Sequence, residues 1–167
     1  MAAFDTHMAH GLVTDITAWL QAPPTKVSAS QLHMLQYLRP DFGFTRADVE
    51  SANAATDTEH GLHVIFAELD YVKGGVDKAA PFWKAVVETG RAHEPGTLAY
   101  GVLKPAKVPD GEENRSLKTF EVYESVDYLK DVHVPSDAIS ESIKNTKHLR
   151  TELKHHLLRK IYGFLHK

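Results

Sequence analysis

The residues best suited to chemistry are a histidine, two tyrosines and a tryptophan in the second half of the chain. His133 precedes a predicted helix break at Pro135, and histidine changes protonation state near neutral pH, so it is our first candidate for acid–base catalysis. Tyr100 and Tyr123 lie on predicted adjacent strands and could donate hydrogen bonds to a developing oxyanion. Trp83 offers a flat ring for stacking on a planar substrate. The alternatives are a solvated loop histidine and aromatic side chains that only pack in a core.

Metal and cofactor signatures are weak in this sequence. His7 with His10, and His60 with His63, have spacings that bind a divalent metal when a third ligand approaches, but no third ligand has motif spacing. Close pairs are expected by chance among 11 histidines, and the absence of cysteine removes thiol nucleophiles and Cys-type zinc sites. The motifs of dinucleotide folds, P-loops, zincins and serine hydrolases are also missing. We therefore predict no metal site.

Composition indicates an ordinary globular protein. The chain has 167 residues, of which 43% are hydrophobic and 25% charged, and a formal charge of -3 gives no general attraction to nucleic acids or anionic membranes. Its first residues do not resemble a secretory signal, and no apolar run approaches membrane-spanning length. We expect a cytoplasmic protein with neither nucleic acid nor membrane as a partner. A basic stretch over 144–167 could bind an acidic partner or a membrane surface, but the acidity of the rest of the chain favours a solvated face.

Residues 1–60 are predicted to form a helical extension. A first helix ends at a proline pair, and a second carries Leu35 on its apolar stripe and stops at Pro40. Thr45 is predicted to cap a third helix that runs to about Ala55.

Residues 61–167 are predicted to form a domain with the order β-α-β-β-α-β and mixed parallel and antiparallel pairing. The strands are LHVIFAELDY, GTLAYGVLK and LKTFEVYE, with turns or stops at Gly74-Gly75 and Glu94-Pro95-Gly96 and a helix cap at Ser125. The end is ambiguous, because leucines recur every fourth residue from Leu149 while KIYGFLHK suits a strand. We predict a helix to about His156 and a closing strand after it.

The predicted strands are apolar on both faces, as Val64 and Phe66 alternate with Ile65 and Ala67. Helices on one side cannot cover both faces, so a second layer is needed. The N-terminal helices or an identical sheet from a second subunit could supply it. We predict the second arrangement, a homodimer with the extension outside it.

Several segments together resemble the antibiotic biosynthesis monooxygenase superfamily: ELDYVKGG, HEPGTLAYGVLK, LKTFEVYESVDYLKDVHVPSDA and YGFLHK. The resemblance implies an α+β, ferredoxin-like sheet that forms a dimeric α+β barrel, with a cavity between the sheet and its helices. It also implies cofactor-independent oxygenation of an electron-rich aromatic or polyketide-type metabolite by dioxygen. Relatives include isomerases and proteins without known activity, so a non-oxidative cyclase, isomerase or dehydratase and a non-catalytic stress-response barrel are the alternatives.

The resemblance also implies roles for particular residues. In relatives the ring at the position of His133 points toward the sheet, and the position of Glu124 is characteristically acidic. We predict that Glu124 is buried and paired, either as a catalytic acid or in a structural pair across subunits, with Arg91 or His93 as a possible partner. Together with Trp83, we assign Phe66 and Arg91 to substrate binding.

Overall fold

The computed structural model describes residues 35–39, 41–46 and 62–158, which contain one sheet and the helices that cover it. The strands are β1 (Leu35–Tyr37), β2 (Gly43–Thr45), β3 (His63–Tyr71), β4 (Thr97–Pro105), β5 (Ser116–Tyr123) and β6 (Arg150–Leu158). The helices are α1 (Gly75–His93), α2 (Val126–Tyr128) and α3 (Asp137–Thr146). A π turn (Leu129–His133) continues α2, and a 3₁₀ turn (Lys147–Leu149) joins α3 to β6.

The sheet has the strand order β1-β4-β5-β3-β6, with β2 also paired to β4, and every pair is antiparallel. Its four long strands and the helices between them give the order β-α-β-β-α-β, so the predicted α+β, ferredoxin-like fold is confirmed. The predicted mixture of parallel and antiparallel pairing is wrong. Strands β3 and β4 run in the same direction, but β5 lies between them and pairs with both.

The predicted second helix is wrong where the structure describes it. Leu35 begins a strand rather than lying on a helical stripe, and β1 and β2 both pair with β4. The free edge of β4 offers unpaired backbone groups, and pairing with it outweighs the weak helical periodicity of this segment. Thr45, the predicted cap of a third helix, ends β2. The rest of that helix and the whole first helix lie outside the described residues.

The predicted C-terminal helix is also wrong, because α3 ends at Thr146 and β6 already begins at Arg150. Leu153 and Leu157 are four residues apart and share one face of a strand, since a period of two also returns to the same face after four residues. The spacing of the leucines therefore fits both structures, and pairing with β3 decides between them. The segment KIYGFLHK lies outside the described residues.

The local turn and cap signals are confirmed. Gly74 has φ 70°, a left-handed conformation that favours glycine, and it leads directly into α1. The Ser125 hydroxyl accepts a hydrogen bond from the Tyr128 N–H, as expected of a residue that caps a helix. The apolar stripe of α1 packs on the sheet through side chains that include Ala79, Val86 and Val87. Helices and sheet thus enclose one main core.

The opposite face of the sheet carries a smaller cluster. Its buried members are Leu62, Val64, Leu98, Ala99 and Val122. They are buried within a single chain, so this part of the second face does not require a partner subunit, and the predicted homodimer stays a prediction. Among the described residues, no helix combines the length and the apolar character that crossing a membrane would require.

Candidate functional site

A cavity of about 530 Å³ lies between the helices and the inner face of the sheet. Its walls are mainly apolar side chains from β3, α1, α3 and β6, among them Ile65, Trp83, Ile139 and Leu153. This volume falls in the range typical of sites that take a small organic ligand. The resemblance implied a cavity at this place in the fold.

The main polar feature of the cavity is an ion pair between His133 and Glu94. The imidazole Nδ1 lies 2.6 Å from the Glu94 carboxylate Oε2, and both side chains are only 4% exposed. The same Oε2 accepts a hydrogen bond of 2.8 Å from the hydroxyl of Thr97. Glu94 lies just beyond α1, while His133 comes from the π turn, a rare widening of a helix that is often found at functional sites. Two element ends therefore meet at this pair.

The environment of Glu94 determines which nitrogen of His133 is free. Burial alone raises the pKa of Glu94, but the hydrogen bond and charge of His133 and the hydrogen bond from Thr97 outweigh it, so the pKa is lowered from 4.5. An ionised carboxylate only accepts hydrogen bonds, so Nδ1 of His133 must be the donor. In the neutral form of this imidazole Nε2 carries the lone pair, and across the described residues it has no hydrogen-bond partner. His133 is also one of the residues that line the cavity.

Tyr100 and Tyr123 pack against the ring of His133. Their ring centroids lie 5.5 Å and 5.1 Å from that of the imidazole, and both tyrosines are buried. Tyr100 also lines the cavity, whereas the hydroxyl of Tyr123 donates a 2.8 Å hydrogen bond to Glu121. Burial and the nearby Glu121 charge raise the pKa of both phenols, so each remains a protonated donor. Of the two, Tyr100 is placed to meet a ligand, and Tyr123 supports the imidazole.

Glu121 is a second buried acid in the cavity wall. It is 8% exposed and accepts hydrogen bonds from Tyr123 and from the hydroxyl of Thr119, the latter at 2.6 Å. Sequence reasoning missed both Glu94 and Glu121, because it took the first for part of a helix stop and the second for part of an apolar strand. The signal for Glu121 was available, since Thr119, Glu121 and Tyr123 share one strand face at a period of two.

Trp83 forms part of the cavity wall, where the sequence analysis places a substrate-stacking residue. Its indole N–H donates a 2.9 Å hydrogen bond to the hydroxyl of Tyr71, which is itself buried. This bond fixes the ring in a single orientation and satisfies its polar atom. Trp83 therefore presents a rigid aromatic surface to the cavity.

Several solved structures share this fold. A Lactobacillus acidophilus protein described as a candidate monooxygenase is 17% identical, with a TM-score of 0.65, over 95% of this chain and 64% of that protein. Candidate antibiotic biosynthesis monooxygenases from Bacteroides thetaiotaomicron and Caulobacter crescentus are 15% and 19% identical, with TM-scores of 0.54 and 0.52. The alignments cover 64% and 62% of this chain and 96% and 92% of those two proteins. The chain has the antibiotic biosynthesis monooxygenase fold.

The sequence itself matches no family model and no curated protein. The chain also spans only 64% of the length of the Lactobacillus protein. At sequence identities of 15–19%, the structural similarity establishes the antibiotic biosynthesis monooxygenase fold and not the reaction.

Within the antibiotic biosynthesis monooxygenase fold, four of the predicted site residues do not line the cavity: Tyr123, which packs behind the imidazole, and Glu124, Arg91 and Phe66. Glu124 follows β5 and is exposed, so the prediction that it is buried is wrong; the strand ends one residue earlier than expected. Arg91 is also exposed, and its guanidinium donates a 2.7 Å hydrogen bond to the Gly43 carbonyl and lies over Phe44. Phe66 alternates with residues that line the cavity and therefore points to the opposite face.

The two predicted histidine pairs fall largely outside the described residues. His7, His10 and His60 are not described, while His63 begins β3. Over the ranges that the structure covers, no three His, Asp or Glu side chains converge as metal ligands would.

Proposed function

We propose that this chain belongs to the antibiotic biosynthesis monooxygenase family and oxidises an electron-rich aromatic or polyketide-type metabolite with dioxygen, without a bound cofactor. The observation that carries the proposal is the His133–Glu94 pair, whose histidine lines a mostly apolar cavity. The likeness to solved candidate monooxygenases supports it. A carboxylate behind an imidazole is a recurrent way to hold a general base in one tautomer and orientation.

The proposed reaction begins with proton removal by His133. Nε2 takes a proton from an anthrone-type methylene or phenol, and Glu94 stabilises the imidazolium that forms. Tyr100 donates a hydrogen bond to the oxygen on which negative charge develops. The delocalised substrate anion then reduces dioxygen by one electron, and recombination of the two radicals gives a substrate peroxide. Loss of water from the peroxide converts the methylene to a carbonyl, with one oxygen atom in the product and the other in water.

The same residues also support a non-oxidative reaction, and Glu121 is the observation that favours it. A second buried carboxylate in the cavity wall gives a substrate a second group for proton exchange besides the histidine. A cyclase, isomerase or dehydratase is therefore the second candidate. A non-catalytic stress-response barrel fits less well, because Trp83 lines an open cavity rather than filling it.

A homodimer remains part of the proposal. The apolar side chains of Leu153, Leu157 and Leu158 on the edge strand β6 are 42%, 68% and 47% exposed, and a second copy could cover them. Sedimentation of the purified protein tests this assembly. The division into residues 1–60 and 61–167 and the cytoplasmic location stay predictions.

Dioxygen uptake with a panel of anthrones and naphthols tests the reaction. We expect uptake in proportion to substrate consumed, with one atom of labelled dioxygen in the product by mass spectrometry. The His156→Ala variant is the control, because this histidine lies on β6 away from the cavity. Turnover without uptake would replace the oxygenase with the isomerase-type candidate. No turnover of any panel member would count against both.

A further inference from the structure

Two cationic side chains stand at one end of the mostly apolar cavity. Lys147 belongs to the 3₁₀ turn, and Arg150 begins β6. The chain changes direction between them, and both side chains lie in the cavity wall. Ile143 and Leu153 lie beside them in the same wall. A ligand in this cavity therefore meets positive charge at one end and apolar surface along its length.

Neither cation has an acidic partner. In residues 62–158 and the two short described segments before them, no carboxylate lies within 4.0 Å of Lys147 or Arg150. The acids on the neighbouring strands point to the other face, where Glu152 pairs with Lys154 at 3.0 Å. The cavity carboxylate, Glu121, is already bonded to two hydroxyl groups.

Arg150 is the more informative of the two cations, because it is half-buried. Removing a guanidinium from water without an anion nearby is unfavourable, and a structure that keeps one there usually has a counter-charge in its working state. Lys147 is exposed and adds a mobile second cation three residues away. A guanidinium also matches the two oxygens of a carboxylate with two parallel hydrogen bonds.

We propose that the substrate is an aromatic carboxylate, held by Arg150 and Lys147 at this end of the cavity. Its ring system lies along Trp83 with the reactive position toward His133. This inference rests on the proposed function and narrows its substrate class. The carboxylate binds at a distance from the reacting atoms. The energy of this contact holds the substrate in the orientation that proton removal requires.

Binding of rhein and chrysophanol to the full chain tests the proposal. Rhein carries a carboxylate where chrysophanol carries a methyl group, and the two dihydroxyanthraquinones are otherwise identical. Neither can undergo the reaction. We expect rhein to bind about tenfold more tightly at low salt, as one charge-assisted contact would give. Added salt should reduce the preference. Titration calorimetry measures both affinities.

Variants of the two cations locate the contact. Lys147→Gln and Arg150→Gln should each weaken rhein binding by about threefold to tenfold and leave chrysophanol unchanged. Lys144→Gln removes the same charge from an exposed side chain of α3 that pairs with Glu141, and it should retain the preference for rhein. Lys147 is exposed, so its variant tests the contact even if the Arg150 variant does not fold.

The outcomes separate this inference from the function on which it rests. Equal affinities for the two compounds would overturn the carboxylate site and keep the aromatic cavity. A rhein preference that survives in both variants would also overturn it, because the carboxylate would then bind elsewhere. If neither compound binds, the aromatic cavity fails together with the inference.

Discussion

The same two side chains, a glutamate and a histidine, pair twice in this molecule under different conditions. Glu94 and His133 lie 2.6 Å apart with 4% of each side chain exposed, whereas Glu68 and His156 lie 3.1 Å apart with 35% and 48% exposed. Glu68 also binds Lys118, whose hydrogen bond lowers the pKa of Glu68. Glu68 thus has several partners available, namely His156, Lys118 and water, and its pairing with His156 is only one of them.

Burial makes a glutamate–histidine pair suited to proton transfer. Water competes for an exposed carboxylate and screens its charge, so exposed pairs contribute about 0–1 kcal/mol to stability. In the interior the carboxylate has few alternative partners, and losing one member of a buried pair is far more costly. Of the two histidines, only His133 is held by a buried carboxylate and also lines the cavity.

The largest expected effect is on catalysis. His133→Ala should lower turnover by at least about tenfold, and by about a hundredfold if His133 is the only base, because general bases contribute on this scale. His156→Ala should leave turnover unchanged. Steady-state dioxygen uptake measures both, and sedimentation checks that assembly is unaltered. Unchanged kinetics in His133→Ala would remove this histidine from the mechanism.

The second effect is on stability. Glu94→Gln replaces a charge-assisted hydrogen bond with a neutral one at a buried site and should lower the free energy of unfolding by about 2 kcal/mol. Glu68→Gln makes the same change at the exposed pair and should cost less than about 1 kcal/mol. Urea denaturation followed by circular dichroism measures both. Equal losses would mean that burial does not distinguish the two pairs.

The sequence predicted those parts of the fold that depend on local signals. The turn at Gly74, the cap at Ser125 and the order of the long elements follow from side chains next to one another in the chain. Strands β1, β2 and β6 were missed or misplaced because backbone pairing with distant strands decides them. The spacing of leucines 153 and 157 fits a strand and a helix equally.

The sequence also predicted only some of the residues of the candidate site. His133, Tyr100 and Trp83 all line the cavity, because histidine and aromatic residues carry recognisable chemistry by type. Glu94 was missed because nothing local shows that an acid after a helix will be buried against a histidine 39 residues away. Glu124 was chosen in its place because the family resemblance implies an acid at that position, which lies one residue beyond the end of β5.

The third effect is a dependence of stability on pH. The folded-state pKa of Glu94 is lowered from 4.5, so its stabilising contribution is present above that value and is lost as the pH falls through the folded pKa. Wild-type protein should therefore lose stability in acid more steeply than Glu94→Gln. Glu68→Gln should lose less of the wild-type steepness than Glu94→Gln, because Lys118 lowers the pKa of Glu68 at a partly exposed site where salt and water weaken the interaction. Urea midpoints between about pH 6 and pH 3 measure the slopes, and parallel wild-type and Glu94→Gln curves would contradict this assignment.

The smallest effect tests whether the ordered network extends beyond the Glu94–His133 pair. Tyr123→Phe removes the hydrogen bond to Glu121 but keeps the ring against His133, so it should cost about 1 kcal/mol of stability and change turnover by less than about threefold. Tyr128→Phe is the matched control, because within the described part of the chain its hydroxyl meets the backbone of Gly96 and bonds no acidic side chain, so its removal should leave turnover unchanged. A large loss of turnover in Tyr123→Phe alone would show that Glu121 takes part in proton transfer, and the site would then act through two buried acids rather than one.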